Sequence, residues 1–136
     1  HVQVSSALHL EGAALSRLRR FVEPVYLHQA VARRTEGSLL RFDDLHEAIA
    51  AAPTDVASWR VHFHLPVFVR ELPECETTQP FLQEILPLFP SDTPMEVETY
   101  TWSVLPSDLK IADVAASISR EIAWVEAARA SRASAG

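Results

Sequence analysis

One ten-residue stretch, WRVHFHLPVF at residues 59–68, constrains the fold more than any other part of the sequence. Its side chains alternate, so a β-strand here places Arg60, His62 and His64 on one face and an apolar row of Trp, Val, Phe and Leu on the other. Strands of an open doubly wound sheet are apolar on both faces, so the alternation argues against that fold. It fits a half-exposed surface strand or the wall of a barrel.

The order of the other elements favours the barrel. Residues 1–6 and 95–102 also alternate like strands, and helical patterns fall at about 11–20, 23–34, 43–52, 78–89 and 107–130. The apolar stripe expected for the last helix consists of Leu109, Ile111, Val114, Ile118, Ile122 and Val125. Strands that alternate with helices indicate parallel pairing through crossover connections.

We therefore predict an α/β fold that forms about three β/α units of a (β/α)8 TIM barrel. A complete barrel needs about 250 residues, so this chain of 136 residues would be its C-terminal portion, over residues 1–130, followed by a disordered tail at 131–136. The chain opens on His1 and passes directly into a strand, which we interpret as the sign of a missing N-terminal part of the barrel.

Three side chains fall where such a barrel would hold its active site, at the C-terminal ends of strands. His62 and His64 would point the same way, about 6.5–7 Å apart, and Glu98 on the neighbouring strand could join them around a divalent metal ion. Three protein ligands with one open position are typical of catalytic rather than structural sites. The alternatives are a hydrogen-bonded pair of histidines and an ion pair between Glu98 and Arg60.

Four other side chains are candidates for substrate contacts. Arg60 and Ser5 could bind a polar substrate group, and Tyr100 and Trp102 could stack on a sugar-like ligand. The alternatives are an ion pair for Arg60, a strand-to-helix turn for Ser5, and packing for the two aromatic residues.

Other features exclude classes of function. A net charge of −6 with no run of Lys or Arg longer than two argues against binding to nucleic acid or anionic membranes. The apolar runs fall short of the roughly 18 residues that cross a bilayer, and there is no glycine-rich phosphate loop. The single cysteine, Cys75, fits a reducing cytoplasm, and its acidic loop argues against a nucleophile. His28 is expected to pack on a helix rather than to bind a ligand.

The stretches VQVSSAL, WRVHFHLPVF and MEVETYTWSVLP resemble the EboE family of metabolite-traffic proteins, within the xylose-isomerase-like TIM-barrel superfamily. The likeness runs in order along nearly the whole chain. It implies divalent metal, such as Zn, Mn or Mg, bound at the strand ends. Glu98 matches the glutamate that closes the last strand of the superfamily's barrels. His62 and His64 match the paired ligands of the penultimate strand. The superfamily also includes endonucleases, which have Asp-x-His at that pair.

The resemblance implies a metal-dependent isomerase or epimerase that processes a sugar-like metabolite or secondary-metabolite precursor, with Glu98 as ligand and catalytic base. The main alternative is a non-catalytic barrel that binds such a precursor and hands it to a membrane transport system. A weaker alternative is a stand-alone small α/β domain, whose exposed parallel edges would promote association.

Overall fold

The computed structural model describes residues 1–98, 102–103, 105–110 and 113–131. In this part of the chain the strands are β1 (Val2–Val4), β2 (Ser6–Glu11), β3 (Ala30–Arg34), β4 (Leu39–Phe42), β5 (Val56–Leu65), β6 (Glu76–Thr77) and β7 (Met95–Val97). The helices are α1 (Leu45–Ala51), α2 (Gln79–Ile85) and α3 (Val114–Ala130), with short 3-10 helices at Leu15–Phe21, Leu86–Leu88 and Ser107–Leu109. The protein is therefore mixed α/β.

The strand β5 has the alternation that the sequence predicts on its apolar side. Trp59, Val61 and Phe63 are completely buried. On the opposite side Arg60 and His62 are exposed, whereas His64 is buried. The two histidines thus follow the same two-residue period but lie in different surroundings.

The residues cluster into two compact units. The parallel-pair unit comprises His1–Ser6, His64–Arg70 and the described part of Thr78–Gly136, and the five-strand unit comprises Ala7–Phe63 and Glu71–Thr77. The expectation that residues 1–130 belong to one barrel stays a prediction.

The five-strand unit is built on a sheet with the order β4-β3-β5-β2-β6. The pairs β3–β4, β3–β5 and β2–β6 are all antiparallel. Its apolar side packs against α1 and the 3-10 helix at Leu15–Phe21, and the ring of Phe21 meets that of Phe63 edge-on at 5.1 Å between centroids. The expected parallel crossover order does not hold in this sheet.

The helix predicted over residues 23–34 is wrong, because the first part of that segment is a loop with bends and the last part is a strand. Ala30–Arg34 forms β3 and turns back into β4, with Gly37 in the left-handed region (φ 99°) donating its N–H to the Arg34 carbonyl at 2.9 Å. Pro24 does not start a helix there. Instead, the Glu23 carboxylate accepts hydrogen bonds from the N–H groups of Val25 and Tyr26.

The parallel-pair unit takes its name from β1 and β7, which pair in parallel with Val2 opposite Met95 and Val4 opposite Val97. Its buried core joins both strands to the helices α2 and α3; the core residues are Val4, Val67, Leu82, Leu86 and Val125. β1 and β7 are thus parallel, as the sequence predicts for these strands, but they pair directly with each other, whereas the sequence placed Glu98 on the strand next to His62 and His64.

The buried face of α3 differs from the predicted apolar stripe. Ser117, Glu121 and Val125, spaced one turn apart, are the buried residues, whereas Val114 and Ile122 are 43% and 46% exposed. The helix begins after Asp113, whose carboxylate accepts from the N–H of Ala116 at 2.9 Å. Within the described residues, none of the helices combines the length and the apolar character needed to cross a membrane.

Candidate functional site

Three of the predicted site residues meet at the ends of strands in the parallel-pair unit. Ser5 directly follows β1, Glu98 directly follows β7, and His64 is the second-last residue of β5. The N–H of Glu98 donates to the Val4 carbonyl at 3.3 Å, so the parallel pairing continues to the site. Carboxyl ends of parallel strands are where α/β proteins commonly bind ligands.

The imidazole of His64 is the centre of this arrangement, which we call the Ser5–His64–Glu98 cluster. Its Nδ1 lies 2.8 Å from Oγ of Ser5 and 3.3 Å from Oε2 of Glu98. The His64 side chain is only 5% exposed and that of Glu98 is 26% exposed. A buried imidazole therefore has a carboxylate and a hydroxyl at the same nitrogen, with the carboxylate reaching solvent.

This geometry suits proton transfer rather than nucleophilic attack by the serine. A carboxylate at Nδ1 orients an imidazole and stabilises its protonated form. In a serine-hydrolase triad, however, the hydroxyl and the carboxylate contact opposite nitrogens. Because Ser5 and Glu98 share Nδ1, Ser5 is not placed as the nucleophile of such a triad.

His62, the other predicted metal ligand, belongs to the five-strand unit, where its side chain is exposed. Its N–H donates to the Gln29 carbonyl at 2.8 Å, and its own carbonyl contacts Nδ1 of His28 at 3.3 Å.

The predicted divalent ion has no ready-made three-ligand centre in the described part of the chain. No group of three or more His, Cys, Asp or Glu side chains there is arranged to hold a metal ion, and this holds for the set His62, His64 and Glu98. A catalytic zinc usually has three protein ligands. The ion stays a prediction, with His64 and Glu98 as its strongest candidate donors.

Arg60 lies in the five-strand unit, on the exposed side of β5. It lines a cavity of about 580 Å³ together with Arg33 and Arg41. Arg60 thus has arginine neighbours. Its contact with a substrate stays a prediction, and such a contact would be made in this cavity.

Of the two residues predicted to stack on a ligand, the structure describes only Trp102. Tyr100 lies outside the described residues. Trp102 is half-buried in a short 3-10 stretch with Ser103. Their roles in substrate binding stay predictions.

Sequence reasoning missed a buried polar pair on α3. Oε2 of Glu121 accepts from the N–H of Val67 at 3.1 Å, but Oε1 of Glu121 and Oγ of Ser117 are buried and have no hydrogen-bond partner among the described residues. Burial raises the pKa of Glu121 to about 7, against the lowering effect of the Val67 hydrogen bond. A Ser-x-x-x-Glu-x-x-x-Val line on the helix is the signal that could have identified this face.

Two single-residue expectations can be compared with the structure. Cys75 is 8% exposed, and burial, followed by the nearby charge of Glu74, raises its pKa to about 11, which argues against a nucleophile.

His28 is packed, as expected, but in a loop before β3 rather than on a helix. Its Nε2 contacts Glu23 at 2.8 Å, and its ring lies on the ring of Phe63.

No protein-family model, curated protein or solved structure matches the chain significantly. The resemblance to the EboE family therefore stays a prediction, and the case for function depends on the residues of the chain itself.

Proposed function

We propose that the Ser5–His64–Glu98 cluster moves a proton on a small, hydroxylated, sugar-like metabolite, in an isomerisation or epimerisation. The observation that carries this proposal is the buried His64 imidazole with Glu98 and Ser5 both within hydrogen-bonding distance of Nδ1. General acid–base catalysis requires a group that is held in place and whose charge is compensated.

In this proposal His64 is the group that takes and returns the proton. It removes a proton from the carbon next to the substrate carbonyl. In an isomerisation it returns this proton to the carbonyl carbon while the hydroxyl proton passes to the carbonyl oxygen, and in an epimerisation solvent supplies the proton to the other face. Glu98 is a positioning residue that orients the imidazole and balances its positive charge, rather than the base itself. Ser5 is half-buried and supplies a hydroxyl that can donate to a substrate oxygen or to Nδ1.

The barrel and the metal belong to this proposal as well. The parallel pair β1–β7, with α2 and α3 packed on its apolar side, supports the interpretation as β/α units of a xylose-isomerase-like barrel of the EboE type. An ion at this site would begin with His64 and Glu98 as donors and would polarise the substrate oxygens. The described residues bring no third such donor to them, and the proton transfer itself is assigned to the imidazole, with Glu98 as its positioning partner. The lone cysteine supports a cytoplasmic location.

The test follows solvent exchange, which reports proton abstraction even when the true substrate is unknown. Aldoses, ketoses and their phosphate esters are incubated with the protein in D2O, with and without Zn, Mn or Mg, and loss of the proton next to the carbonyl is followed by NMR. We expect exchange with at least one member of the panel. His64→Gln should slow it about a hundredfold or more, the usual contribution of a general base.

The matched control is His62→Gln, which changes an exposed histidine two residues away on the same strand. It should leave exchange unchanged. Glu98→Gln should lower kcat with little change in KM, because Glu98 acts through His64. Exchange as fast in His64→Gln as in the unaltered protein would disprove the role of this cluster.

The second candidate is a protein that binds a metabolite without changing it. The arginine-lined cavity around Arg60 favours this alternative, because its arginines are groups that recognise and hold an anionic metabolite. Binding of a panel member with no solvent exchange and no turnover would support it over the enzyme.

A further inference from the structure

We propose that the exposed face of the five-strand sheet binds the phosphate group of a small phosphorylated metabolite through Arg33, Arg41 and Arg60. This site lies within the five-strand unit and does not rest on the proposed function of the Ser5–His64–Glu98 cluster.

The strand register brings the three arginines to one face. Val31 of β3 lies opposite Arg41 of β4 on one side and opposite Arg60 of β5 on the other. Arg33, two residues along β3, points to the same face and lies diagonal to both. Diagonal neighbours on a sheet are about 7–8 Å apart, which is within reach of three long side chains that converge on one anion.

Small or apolar side chains separate the arginines from one another. Arg33 lies opposite Leu39 on one strand and opposite Ser58 on the next, so no two of the three guanidinium groups are direct cross-strand partners. Like charges directly opposite each other are destabilising. The pattern avoids that repulsion and still concentrates three positive charges on one patch.

These three charges have no carboxylate partners in the part of the chain that the structure describes, unlike other arginines of the same unit. Arg34 pairs with Asp55 and Arg20 with Glu74, but within the described residues Arg33, Arg41 and Arg60 form no ion pair. Arg33 has only a 3.4 Å hydrogen bond to Ser58.

The acidic residue of the lining, Glu11, contacts the imidazole of His9 at 3.1 Å and forms no ion pair with the three arginines in the described part of the chain. In a chain with net charge −6, three adjacent uncompensated arginines are a specific feature of this face. An anion is the ligand that such a face would attract.

The shape of the face fits a small molecule. The cavity measures about 580 Å³, within the roughly 300–1,000 Å³ that small-ligand pockets occupy. Val31 and Leu39 give its lining an apolar part that can cover a carbon skeleton. Guanidinium groups bind phosphate oxygens through paired hydrogen bonds, and the overall negative charge disfavours long polyanions such as nucleic acids.

The test is calorimetric titration of the full chain with glucose 6-phosphate, inorganic phosphate and glucose. We expect glucose 6-phosphate to bind, inorganic phosphate to bind more weakly because it leaves the apolar lining empty, and glucose not to bind. Arg41→Gln and Arg60→Gln should each weaken the binding about tenfold, as expected for loss of a charged hydrogen bond. Arg60→Lys should weaken it too, because lysine keeps the charge but loses the paired geometry.

The matched control is Arg19→Gln, which removes one positive charge from an exposed arginine outside the sheet. It should leave binding unchanged, and His64→Gln should also leave it unchanged, which separates this site from the proposed catalytic cluster. Equal loss of affinity in Arg19→Gln, tighter binding of a DNA oligonucleotide than of glucose 6-phosphate, or no binding of either phosphate would each overturn the proposal. Circular dichroism of each variant verifies that the fold is intact.

Discussion

At the scale of single residues, strand-end reasoning identified the centre of the candidate site. Ser5, His64 and Glu98 each follow or close a strand, and the structure brings them together. The same reasoning treated His62 as equivalent to His64, because a two-residue period gives both the same direction. It could not predict that one of them is buried and the other exposed, since burial depends on distant segments that cover each residue.

The burial of Glu121 is a property that the local sequence pattern did not predict. A glutamate on a helix is usually solvent-exposed, yet this one is 1% exposed and has one oxygen without a partner. Its raised pKa, about 7, means that the folded protein holds the proton more tightly than the unfolded chain does. The contribution of Glu121 to the free energy of unfolding is therefore fully present below the ordinary carboxyl pKa, and it is lost as the pH rises through about 7.

We predict that Glu121→Gln stabilises the protein at pH 8 and flattens the loss of stability between about pH 4.5 and 7. The gain should be on the order of 2–3 kcal/mol, since each pKa unit corresponds to about 1.4 kcal/mol. Urea unfolding at pH 5, 6, 7 and 8 measures it. Glu126→Gln on the exposed side of the same helix should change neither stability nor its pH dependence. If the free energy of unfolding changed with pH in the same way in Glu121→Gln and in the unaltered protein, the raised pKa of Glu121 would be contradicted.

At the scale of elements, the helices with clear ends were the ones predicted well. The sequence predicted a helix at about 43–52, and α1 begins after Asp44, whose carboxylate accepts from the N–H of Leu45 at 2.7 Å. The hairpin of β3 and β4 was missed because Ala, Val and Arg fit a helix as readily as a strand over a few residues. Pairing with β5, far along the chain, decides the outcome there.

A further prediction concerns the start of α3. Asp113→Ala should destabilise the protein by about 1 kcal/mol, because the N–H of Ala116 loses its acceptor. Thermal unfolding followed by circular dichroism at 222 nm measures the change. Asp113→Asn is the matched variant, since asparagine caps helices about as well as aspartate. An equal loss of stability in both variants would show that the charge, and not the cap, is responsible.

At the scale of the whole molecule, the order of elements predicted parallel strands, which holds for β1 and β7, but it predicted neither their direct pairing nor the antiparallel sheet. Alternation reveals that a segment is a strand and which side is apolar, but it carries no information about its neighbours. The strands β3, β4 and β6 were absent from the predicted order, so their antiparallel pairing could not be foreseen.

The charge of the whole chain gives the last prediction. With a sequence pI of about 5.4, solubility should be lowest near that pH, because a net charge near zero promotes association. Light scattering between pH 4 and 8 measures it. The double variant Arg41→Gln, Arg60→Gln removes two positive charges and should move the minimum to lower pH. An unchanged minimum in that variant would contradict this explanation.

The way the chain is divided between the two units has a consequence for dissecting the protein genetically. Residues 6–77 contain the whole of β2, β3, β4, β5 and β6, so one continuous gene fragment encodes every strand of the larger sheet. The other unit takes its residues from three separate segments, and the short middle one, His64–Arg70, lies inside that fragment. Deleting the fragment to isolate the second unit would therefore remove His64 as well, so the Ser5–His64–Glu98 cluster cannot be obtained without the sheet.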